Sequence, residues 1–231
     1  MARLEGTRAA GRFEIVARTV EEAREAVAVA IDAASRAPRH AAFVDLLGTR
    51  AYFKQSALSG RTAVRYALRR GVLRARLPRL REYENLGWLR DHGFHAPEPL
   101  AAGACWRMGL PRFQFLFTRA VPGARTLGAF LAEEPDERAR ARVLELLARE
   151  TARMHALGFV HHDLFPRNLL VTTPASPRVW FLDCWAGGPP RQVRTPAYDL
   201  ACLTRPGRDA LGPKEAELFL AAYGAAASSQ S

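Results

Sequence analysis

The sequence is poor in cysteine, in lysine and in long apolar runs. Its three cysteines, Cys105, Cys184 and Cys202, are odd in number and far apart. They fit neither a disulfide framework nor a zinc site, and they favour a reducing compartment such as the cytoplasm. No apolar run approaches the ~20 residues of a membrane-spanning helix, and none follows Met1 as a signal peptide would require. The composition predicts a cytoplasmic globular protein.

Lysine is scarce although the chain is basic. The 34 basic and 23 acidic residues give a net charge of +11, and the only lysines are Lys54 and Lys214. Residues 42–47 and 50–55 alternate in polarity around a Gly48-Thr49 turn, which predicts a β-hairpin with Lys54 near the end of its second strand. A lysine at that place is typical of the phosphate-binding lysine of kinases, and the alternative is an ordinary solvent-facing lysine. No G-x-G-x-x-G motif precedes Lys54.

The most informative stretch is residues 159–171. A helix is expected to end at Leu157, with Gly158 after it, and an apolar strand begins at residue 169. Between them Asp163 and Asn168 stand five residues apart, in the order H-x-D-x-x-x-x-N of a kinase catalytic loop. A carboxylate there faces the acceptor hydroxyl, and an amide oxygen faces the metal ion. The alternative is a polar loop between a helix and a strand.

A second carboxylate follows the next predicted strand. The apolar residues 179–182 end at Asp183, fifteen residues after Asn168. A hairpin over these residues would bring Asp183 back beside the first loop, as in the metal site of a kinase. The following residues 184–190 are expected to form a flexible turn.

Three further segments complete the predicted site. A helix is expected from Pro78 to Gly93, and on it Glu82 shares a face with apolar residues, so Glu82 rather than Glu84 should hold the strand lysine. Its alternative role is a surface charge paired with an arginine. Residues 118–123 are predicted to form a hinge that binds adenine through backbone groups. A helix from about residue 136 to 157 should pack beneath the catalytic loop, with five residues inward: Val143, Leu144, Leu147, Thr151 and Met154.

Residues 61–81 hold eight arginines and no acid before Arg81. We expect a helix from Arg61 to Arg70 and a break around Gly71. The segment is either a solvated basic face or a surface for an anionic partner: a phosphorylated glycolipid, an anionic membrane or nucleic acid. Tyr66 is its only aromatic residue, which argues against stacking of single-stranded nucleic acid.

The first 40 residues are the least informative. Residues 13–16 favour a strand, and the capping box at Thr19 predicts a helix to about Ser35. We expect an N-terminal extension over 1–40, an N-lobe over 41–119 and a C-lobe over 120–231. The tail from Ala225 is expected to fray.

Taken together, the sequence resembles the lipopolysaccharide kinase family, the Kdo and heptose kinases of Gram-negative inner-core assembly. The resemblance covers roughly residues 45–225 and rests on the following stretches: 52–54, 81–86, 96–103, 121–123, 155–158, 161–168, 182–183 and 199–201. It implies an α+β, two-lobed protein-kinase-like fold with an antiparallel-sheet N-lobe and a small, mostly helical C-lobe. It also implies ATP and Mg²⁺ as cofactors.

The resemblance implies a role for each matched residue. Lys54 would hold the ATP phosphates, and Glu82 would hold Lys54. Asp163 would orient or deprotonate the acceptor hydroxyl, while Asn168 and Asp183 would bind Mg²⁺.

The resemblance also implies supporting roles for four other residues. Asp199 would brace the backbone of the catalytic loop, to which His161 gives structural support. Backbone groups of Thr118 and Ala120, in the hinge, would bind the adenine.

The implied reaction is transfer of the ATP γ-phosphoryl group to a sugar hydroxyl of a Kdo or heptose acceptor, at the cytoplasmic side of the inner membrane. Phe165 stands where protein kinases place a lysine, and the short segment after Asp183 argues against switching by phosphorylation. The alternatives are a small-molecule kinase of the aminoglycoside or choline kinase type, a protein kinase, and a nucleotide-binding pseudokinase. A basic nucleic-acid-binding protein is a further, disfavoured alternative, so no nucleic acid partner is expected.

Overall fold

The computed structural model describes residues 2–8, 11–73, 75–173, 176–207 and 210–229. The chain forms two compact units. Unit 1 comprises Met1–Gly87 and Pro97–Ala120, and unit 2 comprises Trp88–Ala96 and Val121–Ser231. Helices and antiparallel sheets both occur, as the predicted α+β class requires. The predicted boundary at residue 120 lies next to the break after Ala120.

Unit 1 is built on a six-stranded sheet. All neighbouring strands pair antiparallel, in the order β1-β2-β5-β6-β4-β3. The strands are β1 (Ala2–Arg8), β2 (Gly11–Ala17), β3 (Arg39–Leu46), β4 (Thr49–Ala57), β5 (Pro99–Arg107) and β6 (Leu110–Arg119). The predicted hairpin is therefore present as β3 and β4. Its turn lies at Leu47 and Gly48, one residue earlier than predicted, and both residues have positive φ, of 50° and 76°, as the tight turns of two-residue hairpins require.

The structure corrects the prediction for residues 1–40. Its described residues form two strands before α1 rather than one, and β2 pairs directly with β5, so β1 and β2 are part of the sheet and not an appended extension. The cause lies in the buried side chains Phe13 and Ile15 of β2, which belong to the main hydrophobic core of the unit. The helix α1 (Val20–Arg36) begins with the predicted capping box, in which Thr19 and Glu22 bind each other's backbone N–H groups.

Helices pack on both faces of this sheet. Buried alanines of α1 pack against Phe53, Phe115 and Phe117. Because neighbouring residues of a strand point to opposite faces, Lys54 lies on the face away from this core. That face also carries Gln114, whose amide oxygen accepts from the backbone N–H of Arg79 at 3.1 Å.

The helices of the basic segment differ in part from the prediction. The helix α2 (Gly60–Leu73) continues through Gly71 instead of breaking there. A glycine inside a helix costs only about 1 kcal/mol relative to alanine, which the surrounding helix offsets. The next helix, α3 (Pro78–Asp91), begins at the predicted proline, and Gly93 after it has the positive φ of 76° expected of a helix end.

Unit 2 is mostly helical. Its elements are β7 (Arg125–Thr126), α4 (Leu127–Glu133), α5 (Glu137–Ala156), β8 (Leu169–Thr172), β9 (Arg178–Phe181), α6 (Pro196–Thr204) and α7 (Pro213–Ser228). The five residues predicted to face inward on α5 are all buried. The tail is helical up to Ser228, and its last two residues lie outside the described ranges. Within those ranges, no helix is both long enough and apolar enough to cross a membrane.

The segment after Asp183 is not the flexible turn that we expected. Residues Cys184–Ala186 form a short 3-10 helix, and Gly188 exchanges two backbone hydrogen bonds with Val160, of 2.9 and 3.0 Å. A Cβ on Gly187 would lie 2.8 Å from the ring of Phe159, so only glycine fits this contact. The segment is held against the start of the catalytic loop.

Candidate active site

The catalytic loop lies between two fixed points of unit 2. On one side α5 ends at Ala156, and Gly158 has a positive φ of 74° that turns the chain out of the helix. On the other side a short 3-10 helix, Pro166–Asn168, leads directly into β8. The loop is thus held at both ends, which places Asp163 and Asn168 on a rigid frame.

The carboxylate of Asp199 binds the backbone of this loop. It accepts hydrogen bonds from the N–H groups of His161, at 2.6 Å, and His162, at 2.7 Å. Asp199 is completely buried on α6, and His162 has a positive φ of 65°. Because a non-glycine residue is strained in that region, the two hydrogen bonds help to hold the backbone in it.

Asp199 is itself held by a side chain of α5. The ring of His155 lies 3.1 Å from the Asp199 carboxylate through Nε2 and 2.9 Å from the Tyr223 hydroxyl through Nδ1. Three helices therefore meet in one chain of polar contacts, since Tyr223 belongs to α7. We call these three residues, Tyr223, His155 and Asp199, the bracing network.

Asp163 lies half-buried in the loop. Burial raises the pKa of its carboxyl group, the Asp183 charge acts in the same direction, and His161 and the Arg167 guanidinium oppose the rise. Arg167 is 3.5 Å from the carboxylate. Burial also lowers the pKa of His161, which favours a neutral imidazole beneath the loop. A carboxylate with a raised pKa is better suited to accept a proton than an ordinary one.

Asn168 and Asp183 lie at the same end of the β8–β9 hairpin. The Asn168 side-chain N–H donates to the backbone carbonyl of Asp163 at 2.8 Å, which directs the amide oxygen away from that carbonyl. The backbone N–H of Leu182 donates to the carbonyl of Asn168 at 2.9 Å, so Asp183 follows one residue after this link. Asp183 has a positive φ of 56°. The structure thus brings the predicted pair together.

These two side chains fit a magnesium ion. Carboxylate and amide oxygens are hard ligands, and Mg²⁺ in phosphate-transfer sites takes only one or two carboxylates, with phosphate oxygens and water completing its shell. In the described part of the chain, no group of three or more histidine, cysteine, aspartate or glutamate side chains could hold a metal by itself.

Lys54 and Glu82 meet in unit 1, as predicted. The Lys54 ammonium donates to Glu82 at 3.1 Å, and Glu82 is 1% exposed, whereas the Glu84 side chain is 38% exposed and pairs with Arg76 at 2.5 Å. The second oxygen of Glu82 accepts from Arg79, three residues earlier on α3. Glu82 therefore holds two cations, of which the sequence predicted only one.

The predicted hinge residues end the last strand of unit 1. Thr118 is buried on β6 and is paired with Tyr52 of β4. The backbone N–H of Ala120 donates to the carbonyl of Arg50 at 2.9 Å. This N–H is therefore engaged within the unit, so a ligand at Ala120 could be bound only by its carbonyl oxygen.

The chain is similar to known proteins over most of its length. The model of the Lipopolysaccharide kinase (Kdo/WaaP) family matches residues 47–223, which is most of the chain. The chain belongs to this family. No curated protein matches the chain.

The fold agrees with that assignment. A solved structure of WaaP in complex with acyl carrier protein superposes with a TM-score of 0.53 at 20% sequence identity. The match covers 82% of this chain and 76% of that chain. It shows that this member of the lipopolysaccharide kinase family has the protein-kinase-like fold that its sequence predicted.

Sequence reasoning missed contacts of four residues of this family member: Arg79, His155, Arg167 and Tyr223. Arg79 stands three residues before Glu82, a helical spacing at which side chains meet, but it was counted only as part of the basic segment. Arg167 stands four residues after Asp163. His155 and Tyr223 are 68 residues apart, and no local pattern connects them.

Proposed function

We propose that this family member transfers the γ-phosphoryl group of ATP to a sugar hydroxyl of a lipopolysaccharide inner-core acceptor, a Kdo or a heptose unit. The observation that carries this proposal is the catalytic loop. In it Asp199 holds the loop backbone, and the side chain of Asn168 binds the carbonyl of Asp163. That geometry holds the Asp163 carboxylate and the Asn168 amide oxygen in fixed positions, as phosphoryl transfer requires.

Asp163 is the proposed base. Its carboxylate would orient the acceptor hydroxyl and accept its proton as the oxygen attacks the γ-phosphorus. The raised pKa of Asp163 supports this role, because a stronger base shares the proton more readily in the transition state.

Lys54 is proposed to bind the ATP phosphates, and Glu82 to position it. An ammonium that donates to a buried carboxylate is fixed in direction, so its position needs little further ordering when the phosphates bind. Asn168 and Asp183 are proposed to hold Mg²⁺. When bound, the ion neutralises the charge that develops on the phosphates.

The adenine is proposed to bind the backbone of residues 118–120. The N–H of Ala120 already donates to Arg50, so the proposal there rests on carbonyl oxygens, which can accept from the adenine amino group. Thr118 is buried and paired with Tyr52 of β4, so the proposal rests on the residues that follow it.

The acceptor class separates this proposal from its alternatives. A small-molecule kinase or a protein kinase would use the same loop on a different hydroxyl, and a pseudokinase would bind nucleotide without transfer. The presence of Lys54, Asp163, Asn168 and Asp183 together speaks against the pseudokinase. A lipid-linked acceptor would bring the enzyme to the cytoplasmic surface of the inner membrane.

The test is transfer of label from γ-labelled ATP, with Mg²⁺, to a detergent-dispersed inner-core glycolipid extract. We expect labelled glycolipid with the parent protein and a loss of at least about a thousandfold with Asp163→Ala, because the base is removed. Asp32→Ala, at an exposed aspartate on α1, is the matched control and should retain activity.

Two outcomes would contradict the proposal. Label transferred to aminoglycosides, choline or protein, and not to glycolipid, would identify another acceptor class. Nucleotide binding without transfer to any acceptor would favour the pseudokinase.

A further inference from the structure

The outward side of α2 carries two parallel rows of side chains. Arg61, Arg65 and Arg69 follow one another at intervals of four residues, and all three are exposed. Val64, Leu68 and Val72 follow at the same interval and are 46%, 62% and 78% exposed. On a helix of 3.6 residues per turn these rows lie side by side. We call these six residues the α2 outer face.

Elsewhere in the basic segment three arginines pair with glutamates of unit 1. Arg70 pairs with Glu14 of β2, Arg76 pairs with Glu84, and Arg79 pairs with Glu82. Arg74 lies outside the described residues. Among the described residues, no ion pair is found for the three arginines of the α2 outer face. The predicted basic surface over residues 61–81 is therefore narrower than expected and centred on α2.

The inner side of α2 is already packed. Ala63 is buried, and the Arg70 guanidinium lies over the Trp106 ring at 4.5 Å from its centroid. The helix is thus anchored to the sheet by one side. The exposed valines and leucine cannot be the core of the unit, because they lie on the opposite side of the same helix.

A fourth exposed apolar side chain lies close to α2 on another element. Met108, in the turn between β5 and β6, is 94% exposed. It lines a cavity of about 430 Å³ together with Ala67 and Gly71 of α2 and with Trp106. Met108 therefore lies beside α2, at a cavity that Arg12 and Arg70 also line.

We propose that the α2 outer face binds the surface of a bilayer that contains anionic phospholipid, with the apolar row inserted and the arginine row on the lipid phosphates. Helices that lie in a membrane interface combine exposed aliphatic residues with basic ones in this way. The net charge of +11 complements an anionic surface. This inference deepens the proposed function, and rests on it, because a lipid-linked acceptor is reached only at a membrane.

The apolar row decides between the possible anionic partners. Nucleic acid is bound through phosphates and stacked bases, and a row of exposed aliphatic side chains contributes to neither. An acidic protein is the competing partner, since the solved WaaP structure contains acyl carrier protein. A partner helix is usually bound in a groove, whereas the α2 outer face is convex. A convex helix surface with aliphatic and basic rows side by side fits a bilayer surface better.

The experiment is co-sedimentation of the full chain with phosphatidylcholine vesicles, with and without phosphatidylglycerol. We expect binding only to the anionic vesicles. Replacing Arg61, Arg65 and Arg69 by glutamine should weaken it by on the order of a hundredfold, since each basic residue near an anionic surface contributes about fivefold. Leu68→Ser with Val72→Ser should weaken it about tenfold or more without a change in charge.

Matched controls separate this surface from general charge and general apolarity. Glutamine at Arg138, Arg142 and Arg149, all exposed on α5, removes the same three charges and should change binding much less. Leu220→Ser, at an exposed leucine of α7, should leave binding unchanged. Thermal melts of every variant should match the parent, because each substitution is at an exposed side chain.

Activity distinguishes failure of this inference from failure of the proposed function. The α2 variants should phosphorylate detergent-dispersed acceptor like the parent and lose transfer only to vesicle-embedded acceptor. Equal vesicle binding by the parent and both α2 variants would overturn the inference. So would binding of acyl carrier protein, or formation of a dimer, that the α2 variants abolish while vesicle binding persists.

Discussion

At the residue scale, Glu82 shows how one buried carboxylate can order a site. It is almost completely buried, and burial of a charge is tolerated only where cations and hydrogen bonds compensate it. Lys54 and Arg79 supply that compensation from two sides. The carboxylate therefore has a fixed position, and it fixes the position of the Lys54 ammonium, which is proposed to bind phosphate.

Glu82→Gln should impair the enzyme far more than Glu84→Gln. Loss of the buried charge leaves Lys54 and Arg79 without their shared partner, and a charged hydrogen bond is worth about 1.5–3 kcal/mol. We expect kcat/KM for ATP to fall by about 10- to 100-fold in steady-state assays. Glu84→Gln, at a half-exposed pair with Arg76, should stay close to the parent. Equal effects of both substitutions would contradict the assigned role of Glu82.

Glu98 should make stability depend on pH. Burial raises the pKa of its carboxyl group, but hydrogen bonds from Arg119 and Arg18 together lower the pKa by more. The net pKa therefore lies below its ordinary value of 4.5. A carboxyl group with a depressed pKa in the folded state adds stability above the unfolded pKa, and that contribution is lost as pH falls through the folded pKa.

Urea unfolding of the parent and Glu98→Gln measures this contribution. Above pH 5 the variant should be less stable by about 1 kcal/mol or less, because the pair is partly exposed and screened. The difference should shrink as the pH falls below the ordinary value of 4.5. A difference that stays constant down to pH 3 would show that the charge of Glu98 does not cause it.

At the scale of elements, the bracing network ties α5, α6 and α7 to the catalytic loop. Asp199→Asn replaces one acceptor oxygen by a donor that faces a backbone N–H, and a buried donor without an acceptor is costly. We expect a loss of about 3 kcal/mol in the free energy of unfolding and a lower kcat. Tyr223→Phe, at the far end, removes one hydrogen bond and should cost about 1 kcal/mol. Chemical denaturation with parallel kinetics checks both, and a fully stable and active Asp199→Asn would refute the bracing role.

Two glycines test how closely unit 1 is packed. A Cβ on Gly103 of β5 would lie 2.7 Å from Phe115 Cζ and 2.8 Å from the carbonyl oxygen of Glu14, so Gly103→Ala should cost about 1–3 kcal/mol. Gly87 of α3 has open space at its Cβ, and Gly87→Ala should stabilise by up to about 1 kcal/mol. Thermal melts should therefore shift in opposite directions. A harmless Gly103→Ala would show that the sheet relaxes there.

At the scale of the whole molecule, the three cysteines report on the integrity of both units. Cys105 lies in unit 1 and Cys184 and Cys202 in unit 2, and all three are buried thiols that form no disulfide. Burial raises the pKa of Cys202 to about 11 and also raises the pKa of Cys105, so few thiolates form at pH 8.

We expect Ellman's reagent to label almost no thiol in the native protein at pH 8 and three thiols after denaturation in guanidinium chloride. Reductant should leave the melting temperature unchanged, because no disulfide contributes to stability. Rapid labelling of one thiol in the native state would show that its unit opens locally.

Prediction from sequence succeeded where the pattern was local. The capping box at Thr19, the glycines that end α3 and α5, and the alternation around Gly48 depend on neighbours within a few residues, and the structure contains all of them. The choice of Glu82 over Glu84 also followed from a local rule, the face that each residue takes on a helix. The segment after Asp183 was wrongly predicted to be flexible. It is held by contacts with Val160 and Phe159, which are far away in sequence.

The sequence by itself determined the order of the chemical groups: the lysine, the glutamate, the loop with its carboxylate and amide, and the aspartate after the hairpin. Backbone geometry and side-chain chemistry make those spacings meaningful before any packing is known. Only the tertiary structure decided that β1 and β2 belong to the sheet, that Tyr223 reaches His155, and which arginines are engaged. These outcomes depend on which distant surfaces bury each other, and burial is a property of the folded chain rather than of any short segment.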